Sequence, residues 1–463
     1  MNRSRTTTTA TTANTSPRRS RSPNQEGEVF SDDHIAPTPP VQYQSGPNST
    51  YNSRPASTMG SSGYNHATAA PYFRSRRVQK GEIEKPWLTK KDPKEKWVTI
   101  IPIIGLFLGL CVAGFLVWDG LQTVVNNSYK LILDEDFSGG LDPKVWTKER
   151  EVGGFGNGQF EETTTTEENA FVKGGQLWIQ PTLQNPDLIN KNNVLNLTKQ
   201  GACSSDVVMN CVSSTNVTNG TIRNPVKSAR LNTKKGAAIK YGRVEVKAKL
   251  PTGDWLWPAI WMMPVDSKYG PWPLSGEIDI LESRGNNYSY AQGGNNIATS
   301  ALHWGPNAAN DGWWKTNVKR NSLHSTYSDD FHTFGLEWSE KYLFTYIDTR
   351  LLQVLYTKFD SPLWDRGNFP LSDSNGTRLV DPWKQTGRLN TPFDTEFYLI
   401  LNVAVGGTNG WFEDGMSGKP WVDTSPTAAK DFWDARNQWS PTWKDRGQMI
   451  IDSVKIWQQT NKN

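Results

Sequence analysis

Ser275-Gly276-Glu277-Ile278-Asp279-Ile280-Leu281-Glu282 is the stretch on which the reading of this chain turns. Its aliphatic residues predict a strand, where successive side chains point to opposite faces. Glu277 and Asp279 then share a face, while Glu282, five positions after Glu277, points the other way. A bulge at Ile280-Leu281 adds one unpaired residue and returns Glu282 to the face of the other two. An exposed face with three solvated acids satisfies the same pattern, so the eight residues alone leave both readings open.

If the three acids share a row, glycoside chemistry is the reaction they suit. Retaining cleavage of a glycosidic bond uses two carboxyl groups roughly 5 Å apart, one attacking and one moving the proton. Four strand steps separate the Cα atoms by roughly 13 Å, a gap that two long Glu side chains on a bent sheet narrow. Asp279 between them repels a further negative charge and helps one Glu keep its proton near neutral pH.

The flanks add a resemblance. The stretch resembles the Glu-x-Asp-x-x-Glu signature of glycoside hydrolase family 16 in its laminarinase form. The likeness runs through Tyr241-Gly242-Arg243-Val244-Glu245-Val246-Lys247-Ala248-Lys249-Leu250-Pro251, Trp257-Pro258-Ala259-Ile260-Trp261-Met262-Met263-Pro264 and Glu282-Ser283-Arg284-Gly285-Asn286. It continues at Leu302-His303-Trp304-Gly305, Phe331-His332-Thr333-Phe334-Gly335-Leu336-Glu337-Trp338 and Leu401-Asn402-Val403-Ala404-Val405-Gly406-Gly407-Thr408-Asn409, covering residues 130–459. Eukaryotic laminarinases and the related β-1,3-glucan recognition proteins are the nearest look-alikes. The resemblance implies a β-jelly roll sandwich of the concanavalin A-like type, two curved sheets with the concave one forming an open cleft. It further implies Glu277 as nucleophile, Glu282 as acid/base and Asp279 as the group tuning both. Trp257, Trp261 and Trp272 become candidate platforms for sugar rings. His303 becomes a contact at the reacting subsite, and Arg230 and Asn402 hydrogen-bond donors or acceptors to hydroxyls. For each of these the plainer alternative is core packing or a structural hydrogen bond. No cofactor is required. Relatives often carry one structural calcium away from the chemistry, for which backbone carbonyls near Glu135 and the Asp452 carboxylate are the candidates here.

Independently of the resemblance, residues 131–133, 177–179, 242–250, 334–338, 344–347, 397–405 and 450–457 read as short strands punctuated by Gly, Pro, Asn and Asp. An all-β sandwich follows. Residues 183–227, rich in Asn, Ser and Thr, predict an insertion in a loop.

The remaining composition bounds the class. A net charge of +4 with dispersed basic residues gives no nucleic-acid signature. No His/Cys cluster has metal-ligand spacing, so no metal ligand is assigned. Eighteen of the 21 tryptophans follow residue 130, enough for sugar platforms, though most Trp residues serve cores. Of three cysteines, Cys203 and Cys211 lie eight apart in the insertion and predict a disulfide, hence an oxidising compartment. Reduced thiols are the alternative. Sequons at Asn126, Asn196, Asn216, Asn219, Asn287 and Asn375 agree with secretion.

Residues 98–118 carry no charge and form a 21-residue apolar run between Trp97 and Trp118. As a helix this run is about 31 Å long, enough to span a bilayer. Lysines crowd its N-terminal flank and acids its C-terminal flank, so the N-terminus is expected inside. The expected organisation is a disordered cytosolic tail (1–96, including Arg18-Arg19-Ser20-Arg21-Ser22-Pro23), a transmembrane signal anchor (97–119) and a lumenal or extracellular catalytic domain (120–463). The function expected is retaining endo-hydrolysis of β-1,3- or mixed β-1,3/1,4-glucan. The alternatives are a cell-wall glucan transglycosylase, a non-catalytic glucan-binding receptor and a scaffold acting through its tail. Retention of both glutamates disfavours the receptor.

Overall fold

Alternation decides the architecture. In the strand Gly242–Lys249, Val244, Val246 and Ala248 are fully buried, while Arg243, Glu245 and Lys247 point away. Each buried aliphatic side chain of this kind contributes about 1.5–3 kcal/mol relative to exposure. Repeated over sixteen strands, the pattern builds a sandwich in a computed structural model that describes residues 77–90, 92–123 and 127–460. Of the tail expected to be disordered, 1–96, residues 1–76 and 91 lie outside the described residues, as do the Arg18 to Pro23 run and the Asn126 sequon.

Two eight-stranded antiparallel sheets face each other. One runs Asn317–Asn321, Ile297–His303, Glu277–Glu282, Leu256–Pro264, Phe397–Val405, Arg230–Asn232 and Thr147–Lys148, with Ala238–Ile239 also on Phe397–Val405. The other runs Gln353–Lys358, Tyr342–Ile347, His332–Trp338, Gly242–Lys249, Met449–Thr460, Gln176–Ile179 and Ala170–Lys173, with Ser128–Glu135 also on Met449–Thr460. Ile260, Met262, Ile278, Leu281, Leu302, Leu399 and Leu401 of the first sheet meet Val244, Val246, Phe334, Leu336, Trp338, Val454 and Ile456 of the second in one core. Ten of the eighteen tryptophans after residue 130 are buried; Trp304, Trp338, Trp421, Trp433 and Trp439 are among the largest fully buried side chains.

Two regions depart from the sequence reading. Residues 183–227 fold rather than loop. The short helix Pro186–Asn190 is capped by Asn185, and a hairpin pairs Asn193–Asn196 with Val212–Thr215. The hairpin's long connection is closed by the Cys203–Cys211 disulfide. Leu195, Leu197 and Cys211 pack with Val152 in a small cluster of their own. The helices Ala428–Asp434 and Arg436–Trp439 were also unforeseen. Each is too short to show a helical period, and their aromatic residues stack instead, with Phe432 and Trp439 ring centroids 4.2 Å apart.

The helix Glu95–Thr123 is long and apolar enough to cross a membrane, and none of its apolar span is buried in the protein. Before it, among the described residues, Pro86–Thr89 forms one exposed helical turn. The Asn216, Asn219, Asn287 and Asn375 side chains are exposed and Asn196 is half-buried.

Candidate active site

The strand Glu277–Glu282 enters through Gly276, whose φ of +85° admits glycine readily. A Cβ there would lie 3.1 Å from Phe393 and Pro392. Against Leu256–Pro264, Ile260 pairs with Leu281 and Trp261 with Asp279, so Ile280 is extra. On the other side Asp279 pairs with Ala301 and Glu282 with Thr299. Ile278, Ile280 and Leu281 all enter the core, whereas Glu277, Asp279 and Glu282 all line a cleft of about 740 Å³. Two consecutive inward residues reset the alternation, as the Ile280-Leu281 bulge required.

The two glutamates are held by neutral donors. Trp272 Nε1 donates to Glu277 Oε2 at 2.5 Å, and Trp257 Nε1 donates to Glu282 Oε1 at 3.0 Å. Asp279 is 2% exposed, and its Oδ2 lies 3.3 Å from His303 Nε2, off the line of a good hydrogen bond. That contact is therefore chiefly electrostatic. The opposite ring nitrogen, Nδ1, is 2.5 Å from Asp311 Oδ2.

Protonation follows from these surroundings. Burial, then the charges of Glu277 and Glu282, push the Asp279 carboxyl well above the usual range. Burial would lower His303, but Glu277, Asp279 and Asp311 outweigh it and hold the imidazole protonated well above its usual value. Glu282 opens to the cleft, yet desolvation dominates and pushes it up to about 7. The negative Glu277 adds to that rise, while His303, the Trp257 N–H and Arg284 oppose it. A carboxyl poised there can give a proton near neutral pH and take one back.

The expected sugar contacts all line the cleft, but in different roles. Trp272 is 41% exposed and offers a ring face beside Glu277. Its loop is steadied by Trp383 Nε1 donating to Leu274 O at 2.9 Å and Tyr269 Oη donating to Asp394 at 2.8 Å. Trp257 is 6% exposed and stacked on Trp411 at 4.6 Å, so it holds Glu282 rather than serving as an open platform. Trp261 is half-buried, donates to Asn402 Oδ1 at 2.7 Å and has Arg230 4.6 Å from its ring. Arg230 is itself tied to Glu149 at 2.9 Å and lies 4.2 Å from the Phe155 ring. Arg230, Trp261 and Asn402 thus form one braced group in the cleft wall.

Sequence reading missed Asp311, Trp411, Trp313 and Phe155. Asp311 is the orienting partner of His303 and also accepts from the backbone N–H groups of Trp304 and Trp313 at 3.1 Å. Trp411 carries Arg284 over its ring at 4.0 Å. Only Arg284 stood inside a quoted motif; the others sit in loops whose place in the cleft has no local signal.

Glu277, Asp279 and His303 offer ligand-type atoms within 4.8 Å of one another. Of the groups named for a structural calcium, the Asp452 carboxylate lies 2.9 Å from Lys247 Nζ and accepts from Gln176.

Residues 185–374 match the family model of glycosyl hydrolases family 16. A β-1,3-glucan-binding protein of Penaeus monodon is 38% identical over 75% of this chain and 96% of its own length. A glucan endo-1,3-beta-glucosidase of Cryptopygus antarcticus is 39% identical over 39% of this chain and 55% of its own length. The solved laminarinase from Rhodothermus marinus is 24% identical, covers 73% of this chain and 100% of its own, and superposes with a TM-score of 0.46.

Proposed function

This chain belongs to family 16 of the glycosyl hydrolases, and on that premise we propose that it is a membrane-anchored retaining endo-glycosidase of β-1,3- or mixed β-1,3/1,4-linked glucan. The observation that carries this reading is the bulge that turns Glu277 and Glu282 into one cleft, with the Glu282 carboxyl poised near 7.

Glu277 attacks the anomeric carbon while Glu282 gives its proton to the glycosidic oxygen. The carbon–oxygen bond breaks, the leaving chain departs as an alcohol, and a glycosyl ester of Glu277 remains. Water then adds at the same carbon, Glu282 takes its proton, and Glu277 is released as carboxylate. Burial and the negative Glu277 help Glu282 keep its proton, and burial with the two glutamates raises the proton affinity of Asp279 between them. Trp272 offers the open ring beside the bond under attack. Replacement of water by a sugar hydroxyl in the second step makes the same site a transglycosylase.

The apolar helix Glu95–Thr123, with lysines before it, supports an anchor whose N-terminus is cytosolic and whose sandwich is lumenal or extracellular. The Cys203–Cys211 disulfide and the exposed sequons agree with that side. A glycosidase-induced mobility shift in protein from its native host tests the orientation.

A second reading is favoured by one observation: the Penaeus relative is named a binding protein. Reducing-sugar release from laminarin, full-length wild type beside Glu277→Gln, separates the two. The hydrolase reading expects wild-type turnover and a loss of about 10⁴-fold or more in the variant. A wild type that binds laminarin and releases no sugar joins the binding proteins instead. Product analysis with added acceptor oligosaccharide separates hydrolysis from transfer.

A further inference from the structure

The bulge that aims Glu282 leaves a backbone problem. At Ile280-Leu281 two residues face one on the neighbouring strand, Ser300, and the ladder is interrupted. The Ile280 carbonyl needs another partner, because an unsatisfied buried carbonyl costs about 1–3 kcal/mol. Ser300 Oγ supplies it, donating to Ile280 O at 2.8 Å from a site 1% exposed.

The second sheet has a matching irregularity. Phe344 pairs with Tyr356 but Tyr346 pairs with Gln353, so Val354 and Leu355 together face Thr345. The freed Leu355 N–H donates to Thr345 Oγ1 at 3.1 Å. Thr345 Oγ1 in turn donates to Ser300 Oγ at 2.8 Å across the interior. The proton order of this chain is fixed by its ends: a backbone donor at Leu355 and a backbone acceptor at Ile280. The hydroxyl facing each bulge therefore meets a backbone group of that bulge, and the two hydroxyls join the bulges across the interior.

We propose that Ser300 and Thr345 are positioning residues that hold the bulge, and through it the aim of Glu282, by tying it to the bulge of the opposite sheet. Neither side chain lines the cleft, so neither touches substrate. The proposal rests on Glu282 being the acid/base group. A displacement of about 1 Å at such a group costs about 10²-fold in rate, and a shared hydroxyl chain transmits the loss of either member.

The test uses the full chain with Ser300→Ala, Thr345→Val and the double variant, assayed on laminarin across pH. Ser328→Ala serves as control, because it loses a buried hydrogen bond to Pro251 O that is remote from the bulge. The expected result is a fall in kcat of about 10- to 100-fold with KM within about twofold. The double variant should be no worse than either single one. As Glu282 loosens toward solvent, the basic limb should move from near 7 to lower pH. Thr345→Ser, which keeps the hydroxyl, should restore the rate. Variants that merely lose thermal stability, as Ser328→Ala should, while keeping wild-type kcat and basic limb, would overturn the proposal. If the wild type itself releases no sugar, the hydrolase reading fails separately. The proposal is then read from the carboxyl ¹³C titration of Glu282, assigned with Glu282→Gln. A midpoint displaced by Ser300→Ala supports it, and an unmoved midpoint sinks it.

Discussion

On the outward face of the second sheet, Asp452 lies 2.9 Å from Lys247 Nζ, Asp134 lies 3.1 Å from Lys455 and Glu337 is paired with Arg350. On the cleft face of the first sheet, three acids within six residues meet two indole N–H groups and one histidine shared with a fourth acid. Both sheets are eight-stranded and antiparallel, and both alternate apolar-in and polar-out. The difference is the charge placed opposite the carboxylates. A cation holds an acid ionised: the Gln176 hydrogen bond and then Lys247 keep Asp452 below the usual carboxylate range. A neutral indole fixes a carboxyl group in space while leaving burial and like charge free to raise its proton affinity. On the cleft face, by contrast, Glu277 and Glu282 each meet an indole, and the row of acids shares a single imidazolium, His303.

That contrast breaks most severely at Glu282. Replacing it by alanine should lower kcat on laminarin by about 10²–10⁴-fold with the circular dichroism spectrum unchanged. Unaltered turnover would mean the acid row is only a charged surface.

Glu161 extends the contrast to stability. It is 1% exposed, accepts one hydrogen bond from the Val405 N–H at 2.9 Å, and burial pushes it up to about 7. A folded value above the unfolded one means that its contribution is fully present below about 4.5 and is lost as pH rises through 7. Glu161→Gln should therefore raise the unfolding free energy at pH 8–9 by up to about 3 kcal/mol, less the cost of burying the amide. Denaturant titrations at pH 5 and pH 9 should diverge between the two proteins only at the higher pH.

A smaller effect belongs to Trp257→Phe. Its indole N–H favours the charged form of Glu282, so removing it should move the basic limb of kcat/KM upward by about 0.5–1 unit. A limb that stays in place would show the indole to be packing alone.

The least effect belongs to the second sheet. Asp452→Asn breaks a half-exposed pair and should cost no more than about 1 kcal/mol near neutral pH. Because the folded Asp452 value is depressed, that cost should disappear as pH falls below the carboxylate range. Laminarin turnover within about twofold of wild type would keep the two faces distinct; a loss comparable to Glu282→Ala would erase the distinction.

Much of the frame was legible because it is local. Strands expected at 242–250 and 397–405 appear as Gly242–Lys249 and Phe397–Val405, since alternation states which face meets the core. The five-residue spacing from Glu277 to Glu282 required a bulge, and eight positions between cysteines allowed a bridge. The insertion was misread because its composition is polar, although four residues suffice to give it a small apolar cluster.

The site's partners were a different matter. Asp311, Trp411 and Phe155 come from loops, and Trp257, read as a platform for sugar, is closed over by a ring 154 positions away. Period-two patterning specifies which side of a strand a residue faces, and that much the amino-acid order of this protein determined by itself. Which groups from distant loops stand opposite it depends on strand order and on how the connections cross the sheet. Only the tertiary structure decided those, and with them which carboxyl groups meet an indole in place of a lysine or arginine.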